Sequence, residues 1–232
     1  MSTFILTLSD FQAILAFMKT KIIDANVRSY HHGNLSLALI DAAEEELNQN
    51  GIEGFSLRGV AKRTGVSHAA PAHHFGDANG LLTILAARGF ERFVQRQHDF
   101  RHHAKSDPRS QLEASGLGYV IFALENPALF RLMFTSDRPN FDNVDLQLSA
   151  DLAFDELVDH VRRVTNEHGS PKKDGPMMVN VVAAWSLAHG LADLMVSGRL
   201  TTLASLQPIT RNRRIATILS RSIPIDLDEV DP

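Results

Sequence analysis

Apolar residues recur along most of this chain at three- and four-residue steps, the spacing that gathers them on one face of a helix. Leu35, Leu39, Ala42, Ala43 and Leu47 mark such a face over Leu35–Asn50, with Asn34 as its predicted N-cap and Gly51 as a left-handed stop. Asp77 caps a long segment that runs to about Lys105. Asp107-Pro108 and Asn126-Pro127 each join a capping side chain to a proline at the first helical position, where the missing N–H costs nothing. Asn126 also ends the helix before it, because a residue preceding proline disfavours α geometry. A further helix is predicted from about Asp142 to His168, with Leu148, Leu152, Leu157, Val161 and Val164 along its stripe and Asp155 as the exception. Ser170–Pro176 reads as a loop, Met177–Ser197 as the most apolar helix and Gln207–Ser222 as the last. No alternating run around Asn-Gly or Asp-Gly signals a hairpin. The expected fold is all-α.

With 232 residues the chain has room for one or two domains, and a hydrophobic share of 44% is enough for a sizeable core. The absence of cysteine excludes a disulfide scaffold, thiolate zinc sites, iron–sulfur clusters and a cysteine nucleophile. No run approaches 18 consecutive apolar residues, so no membrane span is expected. Phe4–Phe17 is moderately apolar, but Asp10 and Gln12 interrupt it and no basic residue precedes it, which makes a poor secretory signal. The expected location is the cytoplasm. Residues 1–29 stand outside the helical pattern, either as an extra packing arm or because the natural start is Met18, and residues 225–232 form an acidic tail. There is no G-x-S-x-G elbow, P-loop, dinucleotide fingerprint or H-E-x-x-H, and Gly116-Leu117-Gly118 lacks a preceding strand. We therefore expect neither an enzyme nor a cofactor.

The net charge of −4 hides an uneven distribution. Ser56–Phe75 carries Arg58, Lys62 and Arg63 with no acid, together with His68, His73 and His74. Outside Arg28–Lys105 the chain has 14 basic and 19 acidic residues, so acidity sits away from this block. Such a patch suits phosphate, although small charge clusters also occur as solvated faces. Within the block, Ser56 is placed to cap Leu57–Thr64, Gly65 to end it and Val66 to anchor a turn. Ser67 is placed to cap a second helix, His68–His74, and small Ala61 lets the two cross closely. This is the layout of a helix-turn-helix, whose second helix enters the major groove.

The segment from Tyr30 to about Phe93 resembles the DNA-binding domain of the tetracycline-repressor (TetR) family. The resemblance rests on Tyr30-His31-His32-Gly33-Asn34-Leu35, Asn50-Gly51, Gly54-Phe55-Ser56-Leu57, Gly65-Val66-Ser67, His74-Phe75-Gly76-Asp77 and Gly80-Leu81-Leu82. Further on, Asn126–Phe134 with Trp185, His189 and Gly190 is similar to the subgroup whose regulatory domain bears a Trp-His-Gly signature. The resemblance implies a three-helix head over residues 30–92, with its helix-turn-helix at about 56–75, and a helical ligand-binding and dimerisation domain over 93–224. It implies a homodimer, paired through Met177–Ser197 and Gln207–Ser222, on a near-palindromic double-stranded operator. It implies a repressor released by a small-molecule effector. By the same resemblance His68, Ala69 and Ala70 reach base edges and Arg58 a base or phosphate, while Ser56, Ser67 and His74 meet phosphate. Two positions depart from the family pattern. Ala72 and Ala78 replace the usual Tyr and Lys, removing two backbone contacts, each of which contributes counterion release. His73, or Arg28 in a minor groove, is placed to compensate, and Lys62 adds a sequence-independent contact. Chemically, His68 can donate to a base acceptor and the alanines can meet thymine methyls.

Other features keep two readings. The pairs His31-His32, His73-His74 and His102-His103 suit phosphate or plain surface, with a metal-responsive regulator as the alternative; no metal ligand is assigned. Arg88, Arg92 and Arg96 share a helical face, either solvated or lying between domains or beside DNA. Trp185 and His189, one turn apart, either wall a ligand pocket or pack helices, with Gly190 permitting close approach. Phe122, Phe130, Met133 and Phe134 either line that pocket or fill the core.

Overall fold

The computed structural model describes residues 32–166 and 176–221, and every regular element in them is a helix. The helices are α1 (His32–Gly54), α2 (Leu57–Thr64), α3 (Ala70–Phe75), α4 (Ala78–His102), α5 (Pro108–Glu125), α6 (Pro127–Phe134), α7 (Val144–Thr165), α8 (Pro176–Val196), α9 (Thr201–Ala204) and α10 (Pro208–Leu219). The arm at residues 1–29, most of the Ser170–Pro176 loop and the acidic tail lie outside the described residues, as does Arg28.

Most boundaries follow local chemistry. The Asp77 side chain accepts from Gly80 N–H at 2.8 Å, that of Asp107 from Ser110 N–H at 2.9 Å, and that of Asn143 from Leu146 N–H at 3.1 Å. The Ser110 N–H holds the Asp107 carboxyl below its ordinary pKa. Three features of these helices differ from expectation. α1 is already helical at His32, so Asn34 lies inside it; Gly51, at φ 67°, still breaks it. Asn126 caps backwards: its amide nitrogen donates to Phe122 O at 3.0 Å, and it makes no side-chain cap on α6. The stripe expected on α7 splits. Leu157, Val161 and Val164 turn inward, but Leu148 and Leu152 are 64% and 56% exposed. Nine residues separate Leu148 from Leu157, which at 100° per residue puts them on opposite faces. Asp155 marks where the predicted stripe changes side.

α4 is the spine. It starts in the head beside α1 and α3 and runs on into the body against α5, α6 and α7. The expected domain boundary at residues 92 and 93 therefore falls inside a continuous helix. The core is continuous too: one buried cluster runs from Leu39 and Leu47 on α1, through Leu81 and Leu85 on α4 and Phe122 on α5, to Ile215 on α10. Each such side chain contributes about 1.5–3 kcal/mol by leaving water.

Polar contacts reinforce the junction. Arg88 pairs with Asp41 at 3.3 Å, Arg92 with Glu44, and Arg96 with Glu125, so this face bridges elements rather than simply meeting water. From the α6–α7 connection, Arg138 Nε donates to Asn79 Oδ1 at 3.0 Å and Nη1 donates to the Ile52 carbonyl. Asn140 N–H donates to Thr83 Oγ1 at 2.9 Å.

Candidate nucleic-acid interface and ligand cavity

α2 begins where Ser56 Oγ accepts from Gly59 N–H at 3.1 Å. It ends at Gly65, whose φ of 69° is the left-handed geometry that a side chain would strain. Val66 N–H then bonds back to Ala61 O at 3.1 Å, turning the chain towards α3. The second helix starts later than expected. Ser67 and His68 lie in the turn, Ala69 is the N-cap without a side-chain cap bond, and regular α geometry begins at Ala70. Pro71 explains the delay: it has no N–H to send back to Ser67, and the Ser67 carbonyl accepts instead from Ala70 N–H at 3.0 Å.

A residue that sequence reading passed over holds the head together. Glu46 on α1 is only 4% exposed, and Arg63 Nε donates to its Oε2 at 2.8 Å. Gly59 lies so close that a β-carbon there would collide with the Glu46 carboxylate. The run Glu44-Glu45-Glu46 beside an apolar stripe was the available signal. Arg63 is thus consumed internally, and the outward cations of this block are Arg58 and Lys62, both exposed and outside any ion pair among the described residues. Ser67, His68, Ala69, Ala72 and His73 are exposed, and Ser56, Ala70 and His74 are half-buried. The Ser56 hydroxyl already caps α2. The His73 and His74 rings cross at 81°, and no three His, Asp or Glu side chains among the described residues gather as a metal site. The His31-His32 side chains lie outside the described residues.

The body encloses a cavity of about 350 Å³ between α4, α5, α7, α8 and the end of α10. Six aromatic rings wall it: Phe90, Phe93, Tyr119, Phe134, Phe154 and Trp185. Of the residues expected at a pocket, Phe134 and Trp185 are on the wall. Phe122, Phe130 and Met133 are not; each is at most 2% exposed and fills the core behind it. His189 stands one layer back, its Nδ1 2.7 Å from the Tyr119 hydroxyl. Burial holds the imidazole below its ordinary pKa and pushes the phenol well above its own, against a smaller pull from the Trp185 indole. The Tyr119 hydroxyl and the His189 ring thus share a hydrogen bond between two uncharged groups. Seventy positions separate these partners, so sequence spacing carries no trace of the pair.

Gly118 seats this wall. A β-carbon there would lie 2.7 Å from Gln97 Cα, so α5 rests directly on the backbone of α4. This close packing accounts for Gly118, whereas Gly116 faces the Leu219 side chain of α10. The same packing brings Ser115 Oγ to Gln97 Oε1 at 2.6 Å. Gly190 is different: nothing lies within 4 Å of where its β-carbon would sit, so it is not a close-approach glycine within this chain.

α8 has two apolar faces. Val181, Ala188, Ala192 and Met195 are buried, while Val179, Val182 and Leu194 on the other side are 56%, 47% and 40% exposed. Met177–Val196 is long and apolar enough to cross a membrane by length and composition, a property that counting unbroken apolar runs does not detect.

Known proteins match in two blocks. Residues 39–84 match the family model described as bacterial regulatory proteins, tetR family, and residues 112–212 match a tetracyclin repressor-like C-terminal domain. The HTH-type transcriptional regulator BetI of Paraburkholderia phytofirmans is 38% identical over 76 residues. That match takes in 33% of this chain and 39% of the regulator's length. A solved structure of unknown function from Rhodococcus sp. RHA1 is 29% identical, covers 84% of this chain and 98% of its own, and superimposes with a TM-score of 0.66. The TetR family regulator PfmR of Thermus thermophilus shares the fold at 17% identity and a TM-score of 0.59, over 81% of this chain and 99% of its own. With both blocks matched over more than half of its length, on a fold with an N-terminal helix-turn-helix and a helical C-terminal domain, the chain belongs to the TetR family of regulators.

Proposed function

We propose that this chain is a cytoplasmic transcriptional regulator, not an enzyme, which binds a near-palindromic DNA operator as a homodimer and is released by a small molecule held in the body cavity. One observation carries the reading. An exposed helix-turn-helix with unpaired Arg58 and Lys62 is joined by α4 to a walled cavity, so one helix touches both the DNA-facing and the ligand-facing parts. His68, Ala69 and Ala70 read bases; Arg58, Lys62, Ser67, His73 and His74 hold phosphate, and Ser56 does so through its partly exposed cap. The body belongs to the Trp-His-Gly subgroup, a reading supported by Trp185 on the cavity wall and His189 behind it.

Release follows from differential affinity. The empty dimer holds its recognition helices at operator spacing, and the ligand binds better to a body whose α4 sets another spacing. The mechanical connection runs through Phe134 on the cavity wall to Arg138, four residues on, which holds the Ile52 carbonyl just before α2. The test is selection of bound fragments from genomic DNA, with the mass of the complex determined. A short near-palindrome bound by two copies is the expected result. Binding that is only sequence-independent and lost in salt would overturn the reading, and would point to the missing contacts at Ala72 and Ala78.

A further inference from the structure

The chemistry of the cavity wall narrows what the cavity accepts; this step rests on the reading of the cavity as a ligand site. A dry cavity of about 150 Å³ holds one benzene ring, so a cavity of about 350 Å³ holds roughly 14 non-hydrogen atoms. The cations near it are neutralised. Arg109 at the mouth is paired with Glu113 at 3.2 Å and also donates to the Ser220 carbonyl, and Arg101, behind Ser115, is paired with Glu156 at 2.9 Å. A carboxylate or phosphate buried here would have to break one of those pairs, leaving a charge without its partner.

A cation is no better served. The rings pack on one another rather than framing an open cage. Phe93 meets Tyr119 edge-on at 4.7 Å and Phe134 at 5.8 Å, Phe90 meets Phe134 at 5.4 Å, and Phe154 meets Trp185 at 6.2 Å. The other wall acid, Asp151, is exposed to water. On α4, Gln97 has one side fixed: the Ser115 hydroxyl donates to Oε1, which turns Nε2 the other way. The bond from Nε2 to the Phe93 carbonyl is stretched to 3.5 Å, leaving a half-used amide donor close to the aromatic part of the wall.

We propose that the cavity binds an uncharged, mainly apolar molecule of that size with one acceptor oxygen, of the ketone, ester or ether class, which Gln97 Nε2 reads. A matched set of probes on one skeleton tests this: 6-phenylhexan-2-one, 6-phenylhexanoate and 6-phenylhexylammonium. Trp185 is the chain's one tryptophan and stands on the wall, so its fluorescence reports occupancy without any DNA present. The ketone is expected to change Trp185 emission and raise Tm, and to bind roughly tenfold or more tighter than either ion, since a buried charge without a partner costs at least that much. Gln97→Leu is expected to weaken the ketone roughly tenfold, the effect of one lost hydrogen bond, and to lower the Tm of the free protein modestly because the buried Ser115 hydroxyl loses its acceptor, while the protein stays folded at the assay temperature. Ala153→Phe, which fills the cavity, is expected to abolish binding.

Equal or tighter binding of the carboxylate or the ammonium would overturn the proposal, as would no binding of the ketone up to its solubility. A Gln97→Leu variant that binds the ketone unchanged would remove the oxygen-reading role. Ketone binding that leaves the operator complex intact would count against release by the ligand but not against the ligand class. A charged probe that releases the operator would do the opposite.

Discussion

His160 shows how one side chain sets a limit on conditions. It is 7% exposed on α7, its Nδ1 has no hydrogen-bond partner among the described residues, and burial, with Arg101 and Arg163 adding to it, lowers its pKa to about 4. The unfolded chain takes up a proton near pH 6.5 and the folded chain does not until about pH 4, so stability is full above 6.5 and falls as the pH drops between those values. The loss is at most about 1.4 kcal/mol per pH unit. Urea titrations of wild type and His160→Leu at pH 7 and 5 are the check: the variant should lose distinctly less stability on acidification, and equal losses would mean that His160 titrates normally. Arg138 works locally. Replacing it by Gln removes bonds to Ile52 O and Asn79 Oδ1, a cost of about 1 kcal/mol, which makes amide exchange around residues 52–56 roughly fivefold faster while α5 and α8 keep their rates. Faster exchange everywhere, or nowhere, would deny it this role. Neither residue is legible in the sequence, because each draws its part from groups distant along the chain.

At the scale of the element, legibility follows the range of the interaction. The caps at Asp77 and Asp107 are bonds across three residues, and the sequence displays them; Asn143 makes the same bond one residue past the expected start at Asp142. The start of α3 was misread because Ser67 looks like a cap while Pro71, four residues on, decides the geometry. The α7 stripe departs from expectation because apolar residues lie on both of its faces, and only the packing of α4, α5 and α8 selects the inward one. On the proposed reading, the late start of α3 also divides the labour within the head. His68 sits in an open turn where its imidazole can meet a base edge, whereas Lys62 is on α2, the helix that crosses the backbone. His68→Ala is therefore expected to cost about 1–3 kcal/mol on the selected operator and little on random DNA. Lys62→Ala should weaken both alike and reduce the salt slope by about one. Filter-binding titrations on the two DNAs over a range of salt distinguish them, and equal losses for His68→Ala on both would remove it from the base readers.

For the whole molecule, the proposed homodimer raises the question of which apolar surface a second copy would cover. Two surfaces are candidates. α8 presents Val179, Val182 and Leu194 along one line with open space above Gly190, and α10 adds Ile209, 77% exposed. α7 presents Val144, Leu148 and Leu152. The α8 face has the better geometry for a helix pair, because small residues, Ala183, Ser186 and Gly190, alternate with its larger ones and let a partner helix approach. It also explains a helix apolar enough for a bilayer in a chain whose relatives are transcriptional regulators: one face packs on α5 and α7, and the other is left for the partner. Val182→Glu places a charge on the line at a half-exposed position, so the fold should survive while dimers dissociate. Leu148→Glu does the same on α7 and should leave dimers intact. Two linked heads gain roughly 100-fold over one by effective concentration, so Val182→Glu should lose about that factor on a near-palindrome and little on a half-site. Sedimentation of both variants with operator titrations is the check. A dimer that survives Val182→Glu but falls apart with Leu148→Glu would move the interface to α7, and with it the pair of recognition helices whose spacing the ligand must change.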